Sequence, residues 1–250
     1  MSDAKEMKTF MHPTTHLGLH EESTKVDETQ YRAMIDSLLY LARSGPNIMF
    51  SVCLCARFQK EPREVHLTVV KCIFGYLIGT PILSLLFKRR ESFKLMSYCE
   101  VDHAGDKVER KSTSGSCHLI EGNLVTWICK KYGSTTLFTT KAEYMLAASC
   151  CNQLLWIKDQ LEGYNIYESK ILIYCDNRAN ISLLKNQTLH SRVKHIEIKH
   201  HFIRDHIQNG TVNLQFVTTN DQLANIFTKP LTEERLILLR SQLGMISVND

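Results

Sequence analysis

The sequence predicts an α/β fold in which a mixed five-stranded sheet is flanked by helices, with a small helical segment in front of it. Two observations lead to this prediction. Apolar residues recur with a helical period up to residues 79–81, where Gly-Thr-Pro interrupts the pattern. Beyond that point, apolar runs of strand length alternate with helical patterns, which favours a sheet covered by helices.

The first part of the chain is predicted to be a polar lead-in followed by three short helices. Residues 1–27 are polar and aperiodic, so we expect them to be extended. The apolar pattern then becomes helical, Gly45-Pro46 ends the first helix, and Pro62 suits the first turn of the third. The three helices are expected at residues 28–41, 48–58 and 62–77. The helical segment as a whole covers residues 28–81 and contains no cluster of catalytic residue types.

Five strands are expected in the sheet. In chain order they lie at residues 94–99, 116–120, 124–128, 171–175 and 212–217. The run at 171–175 is continuously apolar, which is typical of a buried central strand. Residues 82–87 are predicted to form a further strand, joined to the strand at 94–99 by the charged turn 88–91.

Helices are expected between and after these strands, and Gly244 ends the last of them. They lie at residues 140–161, 178–184, 194–208, 221–228 and 233–243. Trp127 and Trp156 stand among apolar neighbours, so we interpret both as core residues. The predicted organisation is an α/β domain at residues 82–231 and a C-terminal helix and tail at residues 232–250.

Bulk composition excludes several classes of protein. The nine cysteines are irregularly spaced without a C-x-x-C pair, which favours reduced thiols in an intracellular protein over a zinc ribbon or a disulfide framework. The first residues are polar and charged, so no signal peptide is expected. The longest uncharged stretch, residues 72–87, is shorter than the ~20 residues of a spanning helix. We therefore expect a soluble protein that is not secreted.

Acidic residues lie where predicted elements end. Glu100 follows the first central strand with Asp102 two residues later, and Asp176 ends the short apolar strand. Glu143 lies one turn inside the long helix. Because the carboxyl ends of parallel strands form the usual crevice of an open α/β sheet, these carboxylates are expected to converge. Oxygen ligands there suit Mg²⁺, two ions of which can clamp a phosphodiester. The alternative is that each carboxylate caps a helix or lies in a turn.

Blocks of residues along nearly the whole chain have a distinctive order and spacing. In the helical part they are Y-R-A-M-I at 31–35, S-L-L-Y-L at 37–41 and C-A-R-F at 55–58. In the α/β part they lie at residues 106–115, 142–144, 174–177, 190–204 and 221–231. These blocks resemble the Pol polyprotein of copia-type LTR retrotransposons, in its reverse-transcriptase connection segment and its RNase H domain. The resemblance implies an RNase H-like fold at residues 82–231 and a connection remnant at residues 28–81.

The resemblance also implies four catalytic positions, Glu100, Glu143, Asp176 and Asn225, of which the first three would hold a pair of Mg²⁺ ions. The family has Asp at the first and the fourth of these positions. Glu is one methylene longer than Asp, about 1.5 Å, whereas catalytic groups need placement within about 0.5 Å. Asn lacks the negative charge of Asp. We therefore expect impaired catalysis, with Asp102 and Asp221 as the acidic residues nearest in sequence to the altered positions.

Basic residues are concentrated in two segments that the resemblance assigns to nucleic-acid binding. The residues concerned are Arg110, Lys111, Ser112, Arg192, Lys194, His195, Lys199 and His200. Such a face would follow phosphates beside the acidic site. The other interpretation is the solvated polar face of an amphipathic helix. A zinc site is disfavoured, because no cysteine or acid stands at ligand spacing from the histidines.

The function implied by the resemblance is hydrolysis of the RNA strand of RNA–DNA hybrids, with a catalytically inactive nucleic-acid-binding relic as the alternative. Integrases and transposases share the fold, but their acids occur in the order Asp, Asp, Glu, and here Glu143 precedes Asp176. The chain has no Y-x-D-D motif, so no polymerase activity is expected. We expect the upstream polymerase region to be missing from this chain, and a cytoplasmic or nuclear protein without membrane contact.

Overall fold

The computed structural model describes residues 5–15, 17–89, 91–103, 105, 111–131, 139–168, 170–185 and 197–248. For residues 139–141 and 197–201 it describes the backbone alone. The described residues form two compact units. The first unit contains the residues up to Leu86 and those from Ile226 onward, and the second runs from Phe87 to Asn225.

The first unit is mainly helical, as the sequence predicts. Its helices are α1 (Glu28–Ala42), α2 (Met49–Cys55) and α3 (Glu64–Gly79), with 3₁₀ turns at Pro46–Ile48 and Ala56–Phe58. Helix α1 begins where the Asp27 carboxylate accepts a hydrogen bond from the Gln30 N–H. Its buried face carries Tyr31, Ile35 and Leu38, which have the spacing of an amphipathic helix.

The C-terminal part of the chain belongs to this helical unit. Helix α7 (Glu233–Gln242) carries Arg240, whose guanidinium donates a hydrogen bond to the Tyr76 hydroxyl at 2.7 Å. Tyr76 lies on α3 and is fully buried, and the Asn47 amide donates to the same hydroxyl at 2.7 Å. Residues on α3 and α7 are thus connected through one phenol group, although they are far apart in sequence.

Within the strand predicted at residues 82–87, Leu83–Leu85 form a strand, but it pairs with a strand other than the next one in sequence. Strand β1 (Leu83–Leu85) pairs in antiparallel orientation with β7 (Met245–Ser247). Gly244 has a φ of 81°, a conformation that favours glycine, and it turns the chain from α7 into β7. The Leu86 N–H donates to the Gly244 carbonyl at 2.8 Å, which extends the pairing by one bond. A partner so distant in sequence leaves no local signal.

The second unit contains the mixed five-stranded sheet that the sequence predicts. Its strands are β2 (Leu95–Asp102), β3 (Thr113–Ile120), β4 (Asn123–Lys131), β5 (Ile171–Cys175) and β6 (Val212–Phe216). Their spatial order is β4-β3-β2-β5-β6. Strands β2, β3 and β4 are antiparallel neighbours, whereas β5 is parallel to both β2 and β6. Strand β2 is therefore central, and the carboxyl ends of β2 and β5 lie at the same edge.

Three helices of the second unit, α4 (Thr139–Glu162), α5 (Arg178–Lys185) and α6 (Glu197–Gln208), share its hydrophobic core with the sheet. Leu154 on α4 is completely buried. Trp156 is 56 % exposed, so its interpretation as a core residue is wrong. The reason is geometrical: two residues correspond to about 200° around a helix, so Trp156 faces away from the side that buries Leu154. Trp127 is half-buried.

A 3₁₀ turn at Leu223–Phe227 stands where the sequence predicts a helix at residues 221–228. Within the described ranges, none of the helices combines the length and the apolar character needed to cross a membrane.

Candidate active site

The central strands bring two of the predicted carboxylates to the same edge of the sheet. Cys99 and Cys175 are register partners on the parallel strands β2 and β5. Glu100 and Asp176 directly follow these two cysteines in sequence, so their backbones are neighbours. Strand β2 continues to Asp102, and alternation along a strand therefore places Glu100 and Asp102 on one face. Glu100 is buried, and Asp176 is half-buried.

Helix α4 supplies the third predicted carboxylate. Glu143 is half-buried, and its Oε1 accepts a hydrogen bond from Asn177 Nδ2 at 3.0 Å. Burial raises the pKa of Glu143 above its ordinary value, and the charge of Asp176 adds to this increase. The hydrogen bond from Asn177 acts in the opposite direction. Asp176 is thus close enough to Glu143 for its charge to disfavour ionisation of Glu143.

Asn177 was not identified as a functional residue from the sequence, although it directly follows Asp176. Its Oδ1 accepts the N–H of Asn180 at 3.0 Å, so that it caps the start of α5 while its Nδ2 holds Glu143. The preference for Asn at helix starts signals the cap. No signal in the sequence identifies the second bond, because Glu143 lies 34 positions away.

Asn225, the fourth predicted position, lies in the loop that follows the last strand of the sheet unit. Gln222 Nε2 donates to the Cys99 carbonyl at 2.9 Å, which places this loop beside β2 immediately before Glu100. Asn225 is buried, and its Nδ2 donates to the Thr219 carbonyl at 2.7 Å. The acidic residue nearest to it in sequence, Asp221, is exposed and accepts a hydrogen bond from the Thr218 hydroxyl at 2.6 Å.

The side chains at this edge fit a magnesium ion in their chemistry, but they are not assembled as a ligand set. Carboxylate oxygens are ligands that Mg²⁺ prefers. Among the described residues, which include Glu100, Glu143 and Asp176, no group of three or more His, Cys, Asp or Glu side chains is arranged to hold a metal ion. One oxygen of Glu143 is occupied by the Asn177 amide instead.

The predicted nucleic-acid-binding residues are described only in part. Lys111 is half-buried, and Ser112 is buried with its Oγ 3.3 Å from His103 Nδ1. Lys199 and His200 lie on α6, where the structure describes the backbone alone. The remaining four lie outside the described residues: Arg110, Arg192, Lys194 and His195. Their common binding face therefore stays a prediction.

A second surface of the sheet unit was not expected from the sequence. The exposed Trp156 lines two grooves on the outer side of α4. One groove, of about 710 Å³, is also lined by Phe202 and His206. The other, of about 320 Å³, is also lined by Val125 and Tyr164. The indole is therefore a surface feature of the domain.

The mixed five-stranded sheet with its flanking helices has the arrangement of the RNase H-like fold that the sequence predicts. The sequence is 35 % identical over 249 residues to the retrovirus-related Pol polyprotein from transposon RE1 of Arabidopsis thaliana. It is 31 % identical over 228 residues to that from transposon TNT 1-94 of Nicotiana tabacum. These alignments cover 99 % and 91 % of the chain, respectively. The chain belongs to the Pol polyproteins of copia-type retrotransposons, and it spans 17 % of the length of each of these relatives.

The comparison with protein-family models finds no match. A similar solved structure is the N-terminal RNase H domain of a Mycobacterium tuberculosis protein, determined as a fusion with maltose-binding protein. The two share 11 % sequence identity with a TM-score of 0.39, over 60 % of this chain and 98 % of that one.

Proposed function

We propose that this chain hydrolyses the RNA strand of RNA–DNA hybrids with two Mg²⁺ ions, at a rate lowered by Glu100 and Asn225. The observation that carries the proposal is the proximity of Glu143 and Asp176 at the edge of the sheet where β2 delivers Glu100. Glu100 and Asp176 come from neighbouring strands and Glu143 from helix α4, in a chain whose relatives are Pol polyproteins.

The raised pKa of Glu143 supports a cationic ligand at this edge. Burial and the charge of Asp176 both make the ionised form of Glu143 unfavourable. A cation beside these carboxylates would reverse that effect, because opposite charge favours ionisation. In the proposed site Glu100, Glu143 and Asp176 hold the ions. Magnesium, when bound, supplies positive charge that stabilises the negative charge developing on the phosphate.

Two features of the chain's own residues support a lowered rate. Asn225 carries no charge, and its amide already donates to the Thr219 carbonyl. Glu100 places its carboxylate about 1.5 Å further from the backbone than the family aspartate would. A net charge at the site that is less negative than in the family weakens the attraction for divalent cations.

The proposed substrate is an RNA–DNA hybrid, which proteins distinguish by the 2′-hydroxyls and shape of the RNA strand. Among the predicted binding residues, Lys111 lies close to the start of β3. Its side chain can contribute positive charge from the sheet to the binding of phosphates. The association with phosphates is then expected to weaken as the salt concentration rises.

The experiment that tests the proposal is cleavage of an end-labelled RNA–DNA hybrid by the purified chain, in Mg²⁺ and again in Mn²⁺. The Glu143→Gln variant removes the charge at the proposed site. Glu162→Gln is the matched control on the same helix, because Glu162 forms an ion pair with Lys158 at the far end of α4. We expect wild type and Glu162→Gln to cleave the hybrid and Glu143→Gln to lose this cleavage. Cleavage that persists in Glu143→Gln contradicts the assignment.

A second candidate function is binding of nucleic acid without cleavage. The specific observation in its favour is that the described carboxylates form no assembled ligand group. Under this alternative the wild-type chain binds the hybrid in a salt-dependent manner, and neither Mg²⁺ nor Mn²⁺ leads to cleavage. The same cleavage assay, run beside a binding titration at two salt concentrations, separates the two functions.

A further inference from the structure

Two thiols face each other at the centre of the sheet. Cys99 on β2 and Cys175 on β5 are register partners, and their Sγ atoms are 3.1 Å apart. Both are buried free cysteines, with exposed fractions of 5 % and 2 %. A third thiol, Cys150 of α4, is hydrogen-bonded to Cys99. None of these thiols has a role in the proposed hydrolysis, so the cluster calls for a separate explanation.

We propose that Cys99 and Cys175 form a site of oxidative modification, at which a peroxide converts the two thiols into a disulfide. In the first step the thiolate of one cysteine attacks a peroxide oxygen, the O–O bond breaks, and a sulfenic acid forms. In the second step the other thiolate attacks that sulfur, the S–S bond forms, and hydroxide leaves and takes up a proton. Two thiols and one hydrogen peroxide thus give one disulfide and two waters.

The backbone geometry of the strand pair permits this bond. Neighbouring strands lie about 4.8 Å apart, within the range of roughly 4.4–6.8 Å between the Cα atoms of disulfide-bonded cysteines. A disulfide has an S–S distance of about 2.05 Å, so the two sulfur atoms must approach by about 1 Å from their present 3.1 Å separation. The two side chains are already on the same face, because register partners on parallel strands point in the same direction.

The surroundings of the thiols determine how fast the reaction proceeds. Both thiols are buried, so the access of a peroxide to the sulfur atoms limits the rate of the reaction. Cys150 competes as a partner of Cys99, so the test must identify which of the two bonds forms.

The disulfide also has a consequence for the candidate active site, and this part rests on the proposed function. Cys99 and Cys175 directly precede Glu100 and Asp176. Closing the S–S bond strains the backbone segments that carry the two carboxylates, and catalytic groups must be held within roughly 0.5 Å. We therefore expect the oxidised chain to bind Mg²⁺ less tightly and to cleave the hybrid more slowly, with recovery after reduction.

The test is peptide mapping of the whole chain after treatment with hydrogen peroxide. Free thiols are alkylated in denaturant, the chain is digested without reduction, and linked peptides are identified by mass spectrometry. A Cys99–Cys175 peptide pair that dithiothreitol separates is expected in wild type and in the control Cys129→Ser, a half-buried thiol of β4. It is expected to be absent from Cys99→Ser and from Cys175→Ser. A Cys99–Cys150 link, or full alkylation of Cys99 and Cys175 while Cys129 is oxidised, would overturn the proposal.

A cleavage assay on the same samples separates this inference from the proposed function. The link to the candidate active site is supported if wild type loses cleavage on oxidation and regains it with dithiothreitol. The cleavage activity of Cys175→Ser should then be insensitive to oxidation. Oxidised and reduced wild type with equal cleavage would refute that link. If neither form cleaves the hybrid, the proposed function fails, and the linked peptide alone decides whether the modification site exists.

Discussion

Asn177 connects the carboxylate of Glu143 to the first turn of helix α5. Its Nδ2 donates to Glu143 Oε1 at 3.0 Å, and its Oδ1 accepts the Asn180 N–H at 3.0 Å. One amide therefore caps a helix of the sheet unit and orients the carboxylate at its edge. Only a side chain with both a donor and an acceptor can make these two bonds at once.

The first prediction separates these two roles with Asn177→Asp. Aspartate retains the cap, because its oxygen accepts the Asn180 N–H as well as asparagine does. It removes the donor to Glu143 and adds a negative charge beside it, so the pKa of Glu143 rises further. The measurement is an NMR titration of the Glu143 carboxyl carbon.

Two further variants control this experiment. Asn177→Ser retains a cap, replaces the amide donor with a hydroxyl on a shorter side chain and adds no charge, so its expected Glu143 pKa lies between those of wild type and Asn177→Asp. Asn177→Ala loses the cap and is expected to lower the free energy of unfolding by about 1 kcal/mol. An unchanged Glu143 pKa in Asn177→Asp would show that the hydrogen bond to Glu143 is not formed in solution.

The second prediction concerns the contact between the lead-in and helix α3. The Met7 N–H donates to the Gly75 carbonyl at 3.2 Å, and a Cβ at Gly75 would lie 2.5 Å from the Lys5 carbonyl oxygen. Gly75→Ala is therefore expected to displace residues 5–7. Where the contact is kept, the substitution is expected to lower the free energy of unfolding by about 1–3 kcal/mol. Limited proteolysis is expected to cut the variant faster near Lys5 and Lys8. Gly45→Ala is the control, because its nearest neighbour would be 3.4 Å away; equal cleavage rates would contradict the contact.

The third prediction concerns pH and the fully buried His118 on β3. Burial lowers its pKa to about 4, and neither ring nitrogen has a hydrogen-bond partner among the described residues. The pKa of His118 is lower in the folded chain than in the unfolded chain. The contribution of His118 to stability is therefore complete above about pH 6.5 and is lost as the pH falls towards 4. The free energy of unfolding is expected to fall by on the order of 3 kcal/mol over this interval from this group alone. Urea unfolding at several pH values measures it.

The controls for this prediction replace one histidine at a time. His118→Leu removes the buried ring and is expected to flatten the dependence of stability on pH between 6.5 and 4. The same substitution at the exposed His12 is expected to leave the dependence as in wild type. A steep dependence that survives in His118→Leu would contradict the assignment of the titration to this residue.

The fourth prediction tests the packing of helix α4. Trp156→Ala is expected to change the free energy of unfolding by less than about 1 kcal/mol, since surface substitutions usually have small effects. Leu154→Ala on the buried face is expected to cost about 2–5 kcal/mol. Chemical denaturation compares the two variants, and a larger loss for Trp156→Ala would place the indole in the core after all.

Much of the fold follows from periodicity, because local pattern reflects which face of an element is buried. The five sheet strands and the other helices of both units are confirmed within a few residues on this basis, whereas the helix predicted at residues 221–228 is a 3₁₀ turn. The partner of β1 was missed, since pairing with β7 depends on residues 160 positions away. The face of α4 that carries Trp156 was also missed, because apolar neighbours in sequence do not specify a direction around a helix.

The candidate site could be predicted to a lesser extent. Carboxylates at strand ends were expected to converge, and Glu143 and Asp176 do lie close together. The hydrogen bond from Asn177 to Glu143 depends on how α4 packs against β5, which no local pattern encodes. The assignments of Glu100, Glu143 and Asp176 as metal ligands and of Asn225 as the fourth catalytic position stay predictions, since they depend on side-chain positions that a bound ion would help to set.

The proposed site is that of an RNase H-type nuclease weakened at two positions, Glu100 and Asn225. The most direct test compares hybrid cleavage by wild type with cleavage by the double variant Glu100→Asp/Asn225→Asp. Both proteins are also assayed with the added substitution Glu143→Gln. The melting temperature of each protein is followed as Mg²⁺ is added. We predict cleavage at least about tenfold faster in the double variant, its loss with Glu143→Gln, and a melting temperature that rises with Mg²⁺. No cleavage and no effect of Mg²⁺ on the melting temperature of the double variant would contradict this proposal.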